Sequence, residues 1–127
     1  KTYQAEDAAF SGAVTETKNA GYTGTGYVNY DNVSGGYIEW TINVSSAGTK
    51  SLIFTYANGT SSNRTVDISV NGNVVASGVV FGGTGSWTQW QTKSITASLN
   101  PGINKFRATA TSSDGGPNID KLEVTGN

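Results

Sequence analysis

No cysteine, methionine or histidine occurs among the 127 residues. Without cysteine there are no disulfides, and nothing in the chain marks a redox compartment. Without histidine the chain lacks the base of Ser-His and Cys-His nucleophiles, and the commonest zinc ligand. Charged residues make up only 13% and proline occurs twice, so polarity comes from Asn, Ser, Thr and Gly. The formal net charge of -1 leaves no electrostatic footprint for nucleic acid or for an anionic membrane. No run of about 18 apolar residues offers a membrane-spanning helix. The first residues, KTYQAEDAAF, lack the apolar stretch of a signal peptide, so the chain reads as a mature module or a piece of something longer. Carboxylates, Lys and Tyr are what remain for chemistry. A bound metal should be hard and oxygen-ligated, which favours calcium.

What is present reads as strands. YIEWTINV (37–44), KSLIFTYAN (50–58) and RTVDISVNG (64–72) alternate apolar and polar residues. WTQWQTKSITASL (87–99) and INKFRATAT (103–111) look similar. Asn71-Gly72 between two apolar runs signals a tight hairpin, and Pro101-Gly102 a turn. Nothing resembles a helix of several turns. Short strands at this spacing, without βαβ alternation, predict one all-β domain over residues 1–127, an antiparallel β-sandwich.

The segment GGPNIDKLEV (115–124) poses a problem. Pro117 cannot donate to a sheet ladder, so pairing should start after it. Alternation then puts Asn118, Asp120, Leu122 and Val124 on one side. A carboxylate is costly to bury unless it is paired or metal-bound. Asp120 therefore lies at a solvated edge or beside something that wants oxygen ligands.

Two constellations carry chemistry. The first is oxygen-rich: Gln4, Glu6 and Asp7 near the start, and Asp120 near the end. Gln4 and Glu6 share a face of an N-terminal strand, and first and last strands are often neighbours in sandwiches. That arrangement makes a calcium cage; a solvated N-terminus and a surface Asp is the plainer alternative. The second is aromatic and polar: Tyr22, Tyr27, Tyr30, Trp87 and Trp90 with Arg64 and Asn118. A sugar offers an apolar C–H face to aromatic rings and a rim of hydroxyls to Asn and Arg. Arg also grips a carboxylate in two parallel hydrogen bonds. Trp40, flanked by Ile38 and Ile42 on its own face, reads as core. Asp31, Glu39, Asp67 and Asp114 have no spacing that marks a glycosidase pair, so no catalytic residue is assigned.

Taken in order, YQAEDA, GYTGTGYVNYDN, GGYIEWTINV, VDISVNG, SWTQWQT, LNPGINKFRAT and GGPNIDKLEV cover almost the whole chain. Together they resemble a carbohydrate-binding module of family 35, and its relative family 6. The resemblance implies a jelly-roll sandwich without catalysis, a monomer attached to a secreted polysaccharide-degrading enzyme. It implies a structural calcium on Gln4, Glu6 and Asp120, with a backbone oxygen from residues 18–21. It implies a polysaccharide or oligosaccharide ligand at the sandwich-end loops, where Tyr30, Trp87 and Asn118 match the family's motifs. Asn32, in an oxygen-rich loop, and Arg64, able to grip a carboxylate, join them as candidate sugar contacts on their own chemistry. Uronic acid recognition, helped by a second calcium near Asn29, Asp31 and Asn32, follows from family 35. Neutral xylan or glucan ends follow from family 6. A structural or adhesive sandwich is the competing class.

Overall fold

The computed structural model describes residues 1–126. The strands are β1 (Thr2–Gln4), β2 (Ala9–Ser11), β3 (Ala13–Glu16), β4 (Tyr27–Tyr30), β5 (Tyr37–Val44), β6 (Gly48–Ala57), β7 (Arg64–Val70), β8 (Asn73–Phe81), β9 (Gln91–Leu99), β10 (Gly102–Ala110) and β11 (Asn118–Thr125). One sheet runs β3-β4-β11-β6-β9, with β1 also paired to β11; the other runs β2-β5-β10-β7-β8. All the pairings are antiparallel, and the chain crosses repeatedly between the sheets. This is the antiparallel sandwich that the alternation predicts. Among the described residues no helix is long and apolar enough to cross a membrane.

Period-2 patterning decides what faces inward. Ile38, Trp40, Ile42 and Val44 of β5 are buried against Leu52, Phe54 and Tyr56 of β6 and Val66, Ile68 and Val70 of β7. Phe54 lies at the centre, its ring 5.3 to 5.9 Å from those of Trp40, Phe81 and Phe106. The Asn71-Gly72 hairpin forms as read. Both residues take positive φ (52° and 86°), as a type I′ turn requires. The Asn71 side chain accepts the Lys105 N–H at 2.9 Å and ties that turn to β10.

Three local readings are corrected. The strand expected over 87–99 begins only at Gln91. Ser86 diverts the backbone before it: its hydroxyl accepts the Thr88 N–H and its carbonyl the Gln89 N–H, both at 3.3 Å. Glu6 does not share a strand face with Gln4. Strand β1 ends at Gln4, and Ala5–Asp7 form a 3-10 turn closed by the Ala8 N–H on the Ala5 carbonyl. Finally, β11 does not keep one parity. Ile119 pairs with Tyr56 and Lys121 with Thr55, so Asp120 is the extra residue of a β-bulge. Ile119 therefore joins Leu122 and Val124 in the core, in place of Asn118 and Asp120.

Register sets where the loops gather. Asn118 opens β11 opposite Ala57, where β6 ends, and Arg64 opens β7 opposite Phe81, where β8 ends. The loops 58–63, 82–90 and 111–117 thus share one end of the sandwich. The Asp31–Asn32 backbone packs against Gly115 at the same end.

Phe54→Ala should cost about 3–5 kcal/mol, because four aromatic rings meet there and none can close the cavity. Denaturant titration checks this. A loss below about 1 kcal/mol would mean that the core is not centred on that ring.

Candidate functional site

The loop end holds a cavity of about 220 Å³. Asn32, Arg64, Trp87 and Asn118 line it, together with Glu16, Lys18, Asn19 and Asn29. Four of the five residues read as sugar contacts thus converge from four separate segments. Arg64, 8% exposed, donates from Nη1 to the Gly116 carbonyl at 3.2 Å. Its guanidinium carbon lies 5.2 Å from the centre of the Trp87 ring. Among the described residues Arg64 Nε has no partner, nor does Oδ1 of Asn118, which is 2% exposed. Burial pushes the Arg64 pKa down, while the charge of Asp114 pushes it back up.

Glu16 is fixed on the opposite side of this chemistry. It accepts the Tyr27 hydroxyl at 2.5 Å and the Asn29 amide at 3.1 Å. The Tyr27 oxygen in turn accepts the Asn19 backbone and side-chain N–H groups, at 3.2 and 2.9 Å. Those donors hold the Glu16 carboxyl below its ordinary value, the Tyr27 bond contributing most. Burial, then the bond to Glu16, pushes the Tyr27 hydroxyl up to about 12. The pocket thus presents a guanidinium, an ammonium, an indole, side-chain amides and one carboxylate. Such a set offers hydrogen bonds and a stacking face to a polyhydroxylated ligand. It lacks the facing carboxylate pair that glycoside hydrolysis requires.

Two expected residues fall outside the pocket. Tyr30 is 2% exposed, donates to the Ala108 carbonyl at 2.7 Å and lies under Gly116. It packs into the core and does not line the pocket, because its side of β4 faces the opposite sheet. The Asp31 side chain does not line the cavity either. Tyr22, Tyr27 and Trp90 form a ring cluster instead, with centroids 5.7 and 5.2 Å apart. Trp90 donates to the Ala20 carbonyl at 2.9 Å and braces the 17–26 loop. Glu16, Lys18 and Asn19 were missed. The Gly-rich run 21–27 marks a loop there, but only the Glu16–Tyr27 strand register shows that its first residues reach the pocket.

Gln4, Glu6 and Asp120 do come together, around Thr23 and Thr25. The Thr23 N–H and hydroxyl both bond the Asp120 carboxylate at 2.9 Å. The Gln4 amide contacts the Thr23 hydroxyl at 3.2 Å, and the Thr25 N–H donates to Glu6 Oε2 at 3.0 Å. Gly24, at φ +66°, passes so close that a Cβ would meet Glu6 Oε2 at 2.3 Å. Glu6 Oε1 is buried without a partner among the described residues, and Asp120 is 1% exposed. Burial pushes the Asp120 carboxyl up, against the two Thr23 bonds. An orphaned carboxylate oxygen beside amide and carboxylate oxygens fits a hard cation.

The family model described as carbohydrate binding module (family 6) matches residues 4–126. A family 35 carbohydrate binding module from Clostridium thermocellum is 55% identical, with TM-score 0.98; the match covers 100% of this chain and 98% of that one. The chain belongs to the family 35 carbohydrate-binding modules. The module is also 35% identical to Xyl-CBM35, solved in complex with a glucuronic acid containing disaccharide, with TM-score 0.90 over 99% of this chain and 93% of that one. An exo-β-D-glucosaminidase of Amycolatopsis orientalis is 54% identical over 96% of the module, which spans only 12% of that enzyme's length.

The lowered Glu16 value has a pH consequence for the module. Its stabilising contribution is present above the unfolded value, about 4.3, and is lost as pH falls through the lowered folded value. Thermal melts from neutral to about pH 3 should therefore fall less steeply for Glu16→Gln than for wild type. Parallel slopes would contradict the assigned hydrogen bonds.

Proposed function

We propose that the module is a non-catalytic, calcium-dependent receptor for a single terminal uronic acid, such as glucuronic or unsaturated galacturonic acid. It works as a monomer outside the cell and directs an attached glycan-degrading enzyme to its substrate. The observation that carries this reading is the pairing of Arg64 with Trp87 in one small pocket. The indole takes the C–H face of the sugar, Asn32 and Asn118 take hydroxyls, and the under-used guanidinium takes the carboxylate. Long-range attraction is absent at a net charge of -1, so an acid has to be read locally. The glucuronic acid disaccharide bound by Xyl-CBM35 supports the same ligand class. A cavity of about 220 Å³ has room for a chain end rather than a long polymer.

Calcium enters this reading twice. Gln4, Glu6 and Asp120 would hold a structural ion that braces the 17–26 loop on β11. Glu16, Asn29 and Asn32 would hold a second ion in the pocket, which would neutralise Glu16 facing an acidic sugar. Bound there, the ion supplies a positive charge to the carboxylate. Glu16 takes the place that the sequence reading gave to Asp31.

Calorimetric titration tests the ligand. A charge-assisted hydrogen bond contributes roughly 1.5–3 kcal/mol, so glucuronic acid should bind at least about tenfold tighter than glucose. Arg64→Ala should narrow that gap, and Trp87→Ala should weaken both sugars alike. Equal affinity for the two sugars would remove the uronate reading and favour neutral xylan or glucan ends. Chelation tests the metal. An ion at a hundredfold excess over its Kd stabilises by about 2.7 kcal/mol, so removing it should lower the melting temperature by several degrees. Asp120→Ala should be insensitive to chelator. An unchanged wild-type melt after verified metal removal would sink the calcium reading.

A further inference from the structure

Trp87 lies in an irregular turn, where a tryptophan side chain would ordinarily sample several rotamers. Something must hold it at the pocket wall. A Cβ built on Gly59 would lie 2.4 Å from Trp87 Cδ1, 2.5 Å from Nε1 and 2.6 Å from Cγ. The indole therefore rests directly on the Gly59 backbone. Gly59 has an ordinary φ, unlike the many glycines of this chain with positive φ. Its missing side chain is thus not needed by the backbone. Room for the indole is what glycine supplies here.

Gly59 also cannot retreat. The preceding residue, Asn58, is fully buried and bonded on every side. Its amide donates to the Ser62 carbonyl at 2.8 Å and to the Phe81 carbonyl at 3.1 Å. Its side-chain oxygen accepts the Thr60 N–H at 3.1 Å and the Thr60 hydroxyl at 2.7 Å. Its backbone carbonyl accepts the Thr84 N–H at 2.8 Å, and its own N–H donates to the Thr84 hydroxyl at 3.1 Å. The loop that carries Trp87 is thereby locked to the loop beneath its ring. A side chain at position 59 would have to displace the indole, since the backbone beneath it is pinned.

We propose that Gly59 is a positioning residue for carbohydrate binding: it seats Trp87 at the distance from Arg64 at which ring and guanidinium act on one sugar. This rests on the carbohydrate reading of the pocket. Gly59 touches no ligand itself and acts through the indole.

The test uses the isolated module, glucuronic acid as probe, and the indole N–H resonances of the three tryptophans, with Trp87 assigned from Trp87→Phe. Gly59→Ala should lower affinity about tenfold or more and shift the Trp87 resonance, while those of Trp40 and Trp90 stay in place. Gly82→Ala is the control. Its Cβ would meet only Asn63 Oδ1, at an ordinary 3.6 Å, so affinity and spectrum should match wild type. In the Trp87→Ala background Gly59→Ala should cost no further affinity, because the indole it displaces is gone. Wild-type affinity with an unmoved Trp87 resonance in Gly59→Ala would overturn the proposal. So would an equal loss in both backgrounds, which would mark a general loop defect. Should Gly59→Ala alone fail to fold, the double variant must fold, and its failure too would overturn the seat. If wild-type module binds no sugar, the carbohydrate reading fails, while the indole shift in Gly59→Ala still decides the seating.

Discussion

The loop end depends on how one buried carboxylate is satisfied. Asp120 sits in a central strand, 1% exposed, where an unpaired charge would be costly. The bulge at Asp120 turns it out of the ladder and toward Thr23, whose N–H and hydroxyl reach it from the 17–26 loop. That contact pins a ten-residue connection which otherwise has few strand partners. The pinned loop then delivers Lys18 and Asn19 to the pocket, and Asn19 fixes Tyr27, which fixes Glu16. On the other side of the bulge, Asn118 opens the strand and contributes its amide to the same pocket. One backbone irregularity thus serves both the oxygen-rich cluster of Gln4, Glu6 and Asp120 and one wall of the pocket.

The opposite wall is built independently. Asn58 and Thr84 cross-link the β6–β7 and β8–β9 loops through backbone and side-chain hydrogen bonds. Those bonds place Trp87 over Gly59 and leave Arg64, at the first position of β7, reaching across to Gly116. Rigid sandwich, irregular loops and paired buried polar groups divide the work between stability and recognition. Removing one partner of such a buried pair leaves the other unsatisfied. The loop polar residues therefore matter to folding as well as to ligand geometry.

The strands were legible because each buries one face, and β-branched or aromatic residues recur at every second position. The Asn71-Gly72 turn was legible for a local reason, since two consecutive positive φ values demand those residues. The pairing of the two chain ends followed from common sandwich topology and holds in the β1–β11 register. What alternation could not show is where a strand is covered on both sides. In β4, Tyr27, Val28 and Tyr30 are all buried, so neither tyrosine could be assigned from pattern. The bulge at Asp120 carries no Gly or Pro to announce it. Glu6 reached its place through a 3-10 turn that mimics a strand in sequence. Trp87 and Asn118 were named from motifs, Arg64 and Asn32 from their own chemistry in other segments, and only the folded geometry brings the four around one cavity.

The central proposal is that a terminal uronic acid occupies the cavity between Trp87, Arg64 and Asn118. Titrating calcium-loaded, isotope-labelled module with glucuronic acid, and following side-chain amide, guanidinium and indole resonances, tests it most directly. Trp87, Asn32, Asn118 and Arg64 should shift together along one saturating curve while Trp40 and Trp90 do not move. Shifts centred on the outer sheet faces, or no saturable shift at any of the four, would contradict it.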